Sequence, residues 1–181
     1  MALRLFRTTG YSTLLMPGEA KLGRHPGWLV LAASLWIGII CNVGVWRLFV
    51  GNAGLREALA AAGLLGGGTG LILGVLGWRR TLKFSIMVLL LAAALMATGV
   101  WVQELPLAAL WHERPRALLP AWPNFLRGPV LVVVLALAVV PVVTVWNIHV
   151  RRLSGAAQLR VNTVAAAIGA LVVLVGLLLA R

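Results

Sequence analysis

The chain is poor in three things: cysteine, acidic side chains, and charge of either sign inside its long apolar runs. The single cysteine, Cys41, lies within one such run. That excludes an intrachain disulfide and a cysteine-built metal site, and leaves Cys41 the role of a small packed hydrophobe. Only four acidic residues accompany sixteen lysines and arginines. Five apolar runs contain no Asp, Glu, Lys or Arg at all, whereas ionisable groups inside a membrane usually mark proton relays and ion pathways. A coupled pump or transporter is disfavoured. Period-two alternation is also missing, so helices rather than a closed barrel must satisfy a lipid-facing backbone.

What is abundant is apolar surface. Hydrophobic residues make up 61% of the chain and charged residues 11%, with a mean hydropathy of +0.99. An ordinary soluble domain has roughly 45–50% and 25%. The composition predicts an all-α, polytopic membrane protein. A net charge of +12 raises nucleic acid as a partner, but the cations cap apolar runs and form no basic stripe with interleaved aromatics. Membrane lipids with anionic head groups are the expected partners, and no nucleic acid is expected.

The organising stretch is Ala58 to Val102. Two uncharged runs, Ala58 to Trp78 and Phe84 to Val102, flank the basic break Arg79-Arg80-Thr81-Leu82-Lys83. Each run has the roughly twenty residues that a helix needs to cross a ~30 Å hydrocarbon core. The break is a tight turn, and its cations assign it to the cytoplasm. Residues 1–27 then form a cytoplasmic arm, and residues 28–181 a domain of five transmembrane helices near 28–46, 58–78, 84–102, 130–146 and 163–180. The first run is longer than a signal-peptide core and lacks an A-x-A cleavage pattern, so it reads as a retained helix. Alternating sides puts ten cations inside and six outside, which predicts a cytoplasmic N-terminus and a periplasmic C-terminus.

Within the second run Ala58, Ala62, Gly66, Gly70 and Gly74 recur every four residues. Small residues are common in membrane spans, but a continuous stripe reads as a helix–helix contact, with Ala93, Ala94, Ala97 and Thr98 of the third run as candidate mates. Pro141 is expected to kink the fourth run. The outer loop from Leu105 to Arg127 carries Pro106, Pro115, Pro120 and Pro123 with Trp111 and Trp122, a pattern suited to a segment lying along the interface. Its cluster His112, Glu113, Arg114 and Arg116 reads first as a solvated anchor, although its arginines would also suit a phosphorylated head group. His25 and His149, beside cations, read as interfacial imidazoles. No nucleophile, phosphate-cradling loop or carboxylate pair accompanies any of these groups, so no catalytic residue is assigned.

Three local sequences resemble the N-terminal membrane domain of bacterial phosphoethanolamine transferases that modify lipid A. Asn42-Val43-Gly44-Val45-Trp46 is similar to that family's close of the first span. Leu82-Lys83-Phe84-Ser85, with Gly99-Val100, is similar to its third helix, and Val140-Pro141 followed by Trp146-Asn147-Ile148-His149-Val150-Arg151 to its exit from the fourth. The resemblance implies an anchoring and lipid-presenting domain in the bacterial inner membrane, inactive alone, with phosphatidylethanolamine and lipid A as lipid partners. It also implies a separate periplasmic catalytic domain, which would carry the zinc and the reactive threonine. None of that domain is in this sequence, so no cofactor is assigned to this chain. Where the family has an Asp-x-x-Met-x-x-Asn-Val-x-x-Thr-x-x-x-Glu segment after the third span, this chain has Trp101 to Pro123, with Glu104, His112 and Glu113 as its only comparable groups. The expectations are a fragment of a longer product, a truncated piece, or a diverged stand-alone membrane domain. The alternative from another class is a non-enzymatic inner-membrane scaffold or transport accessory.

Overall fold

A computed structural model describes residues 23–78, 81–106, 116, 118, 119, 124, 127–151 and 153–181. The helices among them are α1 (Pro26–Leu35), α2 (Val43–Phe49), α3 (Leu55–Leu76), α4 (Leu82–Val102), α5 (Gly128–Val134), α6 (Val140–Asn147) and α7 (Gly155–Ala180), with π-helical turns at Trp36–Ile40 and Leu135–Val139. No strand occurs among the described residues. Four helical stretches are each long and apolar enough to cross a membrane, namely α3, α4, Gly128–Asn147 and α7, and the bent pair α1–α2 makes a fifth if counted as one span. At 1.5 Å per residue their 20 to 26 residues reach about 30–39 Å. The Arg47, Arg56 and Arg160 side chains fall inside helices, near their ends.

The first span is not the continuous helix expected over 28–46. It breaks at Cys41–Asn42 and turns by 50°. Asn42 is the reason: its Oδ1 accepts from the Gly44 amide at 2.8 Å, capping α2, while its Nδ2 donates to the Gly38 carbonyl at 3.1 Å and the Ala58 carbonyl at 3.2 Å. A short amide side chain competes with the helix ladder for backbone partners, and here it wins because another helix supplies the third one.

The kink expected at Pro141 takes the form of the π turn just before it. Proline has no N–H for the carbonyl four residues earlier, which is that of Leu137. The Trp36 indole, in the π turn of the first span, donates to that carbonyl at 3.1 Å. The two irregular turns therefore complete each other. Trp36→Phe keeps the ring but removes this donor, and is expected to lower stability by about 0.6–1.7 kcal/mol; unfolding by SDS titration in mixed micelles checks it, and an unchanged midpoint would count against the pairing.

The last helix begins at Gly155 rather than at Thr163. Ser154 accepts from Ala157 N at 3.4 Å, and Gln158 and Asn162 are buried rather than solvated. Gln158 Nε2 donates to the Gly77 carbonyl at 3.1 Å and to Asn162 Oδ1 at 2.9 Å. Polar residues ahead of the expected start at Thr163 are thus the first turns of a packed helix.

Two ends can be distinguished. At one, which we call the basic end, Arg24 N donates to His149 O and Arg151 N to Arg24 O, both at 2.9 Å, and Lys83 Nζ reaches Trp146 O at 3.0 Å. At the far end Arg56 Nε donates to Leu179 O at 2.9 Å. The α3–α4 turn closes through Thr81 Oγ1, 2.6 Å from Leu76 O; Arg79 and Arg80 lie outside the described residues.

The small-residue stripe packs, but not against α4. A four-residue repeat drifts about 40° per step around a 3.6-residue helix, so the stripe wraps from one neighbour to another. A Cβ on Gly66 would stand 2.9 Å from Ser34 O and 3.3 Å from Gly38 Cα, both on the first span. On Gly70 it would meet Ser34 Oγ at 3.3 Å, and on Gly74 the Ala166 nitrogen of α7 at 2.6 Å. Ala62 approaches Gly38 through its carbonyl, and Ala58 accepts from Asn42. Off the stripe, Gly63 and Gly67 meet Gly176 and Gly169. The expected mates Ala94 and Ala97 instead pack with Cys41, Val43, Val100, Leu118, Leu137 and Ala138, between the first, third and fourth spans. A second cluster, Leu29, Val30, Ala33, Ile37, Leu73, Leu82, Ile86 and Leu90, fills the half toward the basic end.

Candidate functional site: a cleft at the far end

The turn at Asn42 redirects the chain so that α2 runs toward the end of α4 instead of continuing outward. Between them lies a cleft of about 430 Å³, lined by Val43, Trp46, Arg47, Val50, Asn52, Trp101 and Glu104. That volume falls within the roughly 300–1,000 Å³ usual for small-ligand sites.

Two of the lining side chains are held by backbone partners. The Trp46 indole donates to Ile40 O at 2.9 Å, across the break. Arg47 donates through its two terminal nitrogens to Leu105 O at 2.7 Å and Val100 O at 3.4 Å, clamping α2 onto the end of α4. Glu104 sits at φ +52°, a left-handed conformation that reverses the chain after Gln103, and Gln103 Nε2 donates to Leu119 O at 2.7 Å. One fixed cation, one carboxylate and two indoles therefore share a small open space. Such a set can take a phosphate through guanidinium hydrogen bonds and an ammonium through the carboxylate or an aromatic face.

Of the groups singled out in the outer loop, Arg116 is exposed at a turn, while His112, Glu113 and Arg114 lie outside the described residues. His25 and His149 are exposed at the basic end, and Cys41 is buried. Among the described residues no three His, Cys, Asp or Glu side chains approach one another closely enough to hold a metal ion. The cleft was half visible in the sequence. Trp46–Arg47 and Trp101 with Glu104 each mark the end of a span, but their meeting depends on the turn at Asn42.

Among the described residues the fold is all-helical, with four to five helices long and apolar enough to span a membrane. Compared with protein-family models, curated proteins and solved structures, the chain matches none.

Proposed function

We propose that this chain is the membrane-anchoring and lipid-presenting domain of a phosphoethanolamine transferase that modifies lipid A, inactive by itself and resident in the bacterial inner membrane. In this reading the basic end faces the cytoplasm and the far end the periplasm. The observation that carries it is the far-end cleft: Arg47 and Glu104, of opposite charge and flanked by Trp46 and Trp101, complement a head group that joins a phosphate to an ammonium. The three local sequence likenesses are what support the choice of family. The chain's part is to hold the donor lipid at head-group depth while a separate soluble domain performs transfer.

The test uses the full chain in nanodiscs with phosphatidylethanolamine or phosphatidylcholine, lipid binding being read from quenching of Trp46 and Trp101 by spin-labelled head groups. Phosphatidylethanolamine is expected to bind preferentially. Arg47→Gln should weaken it about tenfold, equivalent to about 1.4 kcal/mol, within the range of a charge-assisted hydrogen bond. Equal binding of both lipids, or no effect of the substitution, would remove the lipid-presenting role and leave the scaffold reading.

A further inference from the structure

Beside the far-end cleft lies a second, smaller cavity of about 20 Å³, lined by Cys41, Val43, Leu65, Ala93, Met96 and Ala97. Its walls are apolar and its size is about that of one water molecule, so it stays dry. Val43 lines both spaces. The other walls run on from one to the other as well. Ala97 of the cavity stands one turn from Trp101 of the cleft on α4, as Val43 does from Arg47 on α2, and four helical residues rise about 6 Å. The cavity therefore sits one turn deeper in the bundle than the charged groups of the cleft.

Val43 is held as a fixed partition. It is 2% exposed, opens α2, and follows Asn42, whose Oδ1 takes the Gly44 amide at 2.8 Å. A β-branched side chain in a helix keeps essentially one χ1 rotamer, and here the backbone that carries it is pinned by the Asn42 cap. Across the cavity wall is Cys41, buried and the only cysteine of the chain. We propose that Val43 is the floor of the cleft and its specificity-determining residue: it stops the apolar part of a ligand at the level of Arg47, so that the cleft accepts a compact charged head group while alkyl chains stay in lipid. With alanine in its place two methyl groups are lost, and cleft and cavity become one space, charged at its mouth and apolar at its base. The head-group part of this proposal rests on the reading of the cleft given above; the floor itself does not.

The floor is tested with silver ion, a charged probe that travels in water rather than in lipid and binds a thiol by replacing its proton, which leaves to solvent. The full chain in nanodiscs and chloride-free buffer is exposed to silver, and bound ions are counted over time by native mass spectrometry. Uptake at Cys41 is expected to be slow in the wild type and about tenfold faster or more in Val43→Ala, because thiol reactivity follows access. Val43→Thr, of similar shape, and Leu65→Ala, which widens the cavity away from the cleft, should both stay slow. A folded Val43→Ala no faster than the wild type, or a folded Leu65→Ala that matches it, would overturn the floor. So would rapid uptake by the wild type, with no variant involved. Specificity is read by calorimetry with the methyl and butyl esters of phosphoethanolamine, as the affinity of Val43→Ala relative to wild type. That ratio should be about fivefold for the butyl ester, as burial of one or two methylenes gives, and within about twofold of unity for the methyl ester. Equal ratios would overturn the specificity role. Binding of neither ester would refute the head-group reading of the cleft, and with it that role, while the silver rates still decide the floor.

Discussion

Valine at Gly67 or Gly169 is expected to detach α7 from the rest of the bundle. A Cβ on Gly67 would lie 2.9 Å from Gly169 O and 2.9 Å from Val173 N; one on Gly169 would lie 2.8 Å from Gly67 O. These neighbours are backbone atoms of a facing helix, so no rotamer change can make room and the helices must separate. Between lipid-immersed helices the attraction is mostly van der Waals contact, which close approach at small residues maximises. Separation therefore forfeits most of what holds α7. Each substitution should lower stability by about 1–3 kcal/mol or more, read as a shifted midpoint in SDS titration followed by circular dichroism. Gly68→Ala is the internal control. Nothing lies within 4 Å of its added methyl, and its effect should stay within about 0.5 kcal/mol. If Gly67→Val behaved like Gly68→Ala, the α3–α7 interface would be misassigned.

Asn42→Leu should be comparably damaging for a different reason. The amide is fully buried and makes three hydrogen bonds, one of them to the carbonyl of Ala58 in α3. Leucine fills a similar volume but leaves the Gly44 amide uncapped and two carbonyls short of a donor, in surroundings without water to replace it. Loss of an N-cap alone amounts to about 0.5–2 kcal/mol, and a buried polar group left unpaired to about 1–3 kcal/mol. A total near 2–4 kcal/mol is expected from these two terms. There is a second readout. Since the turn at Asn42 aims Trp46 and Arg47 at the end of α4, the substitution should also shift Trp46 emission and weaken whatever occupies the cleft. A variant that lost stability while keeping the Trp46 spectrum would show that the turn is held by something else.

Much of the architecture was readable because lipid imposes a simple rule: an uncharged run of sufficient length must be a helix. Ala58 to Trp78 and Phe84 to Val102 fall largely in α3 and α4, but α4 begins at Leu82, so Lys83 belongs to the helix rather than to the turn, and Arg79 and Arg80 lie outside the described residues. What escaped the sequence depends on partners distant in the chain. Asn42 sits in an apolar run like any helical residue, and only the Ala58 carbonyl makes a break there favourable. Gln158 and Asn162 lie ahead of the span expected from Thr163, and the burial of Gln158 depends on the distant Gly77 carbonyl. The repeat from Ala58 to Gly74 announced a packing face but not its mate, since the drift of a four-residue period sends Gly66 to the first span and Gly74 to α7. The far-end cleft was the least legible feature. It joins residues 43–52 to residues 101–104, and no local spacing connects them. In the outer loop Arg116 is exposed, and His112, Glu113 and Arg114 fall outside the described residues.

The way α7 is attached sets it apart from the other helices. Only 11% of its apolar window is covered by the other helices; it rests on α3 along a glycine track, touches α1 near Gly27 through Val161, and is fastened at its extremities by Gln158 on Gly77 and by Arg56 on Leu179. None of the buried residues of the two hydrophobic clusters belongs to α7, which adds only the partly buried Ala165 to the second. Loosening α7 would therefore leave the buried residues of both clusters in place, so its attachment answers to the glycine track and the two end clasps more than to the core.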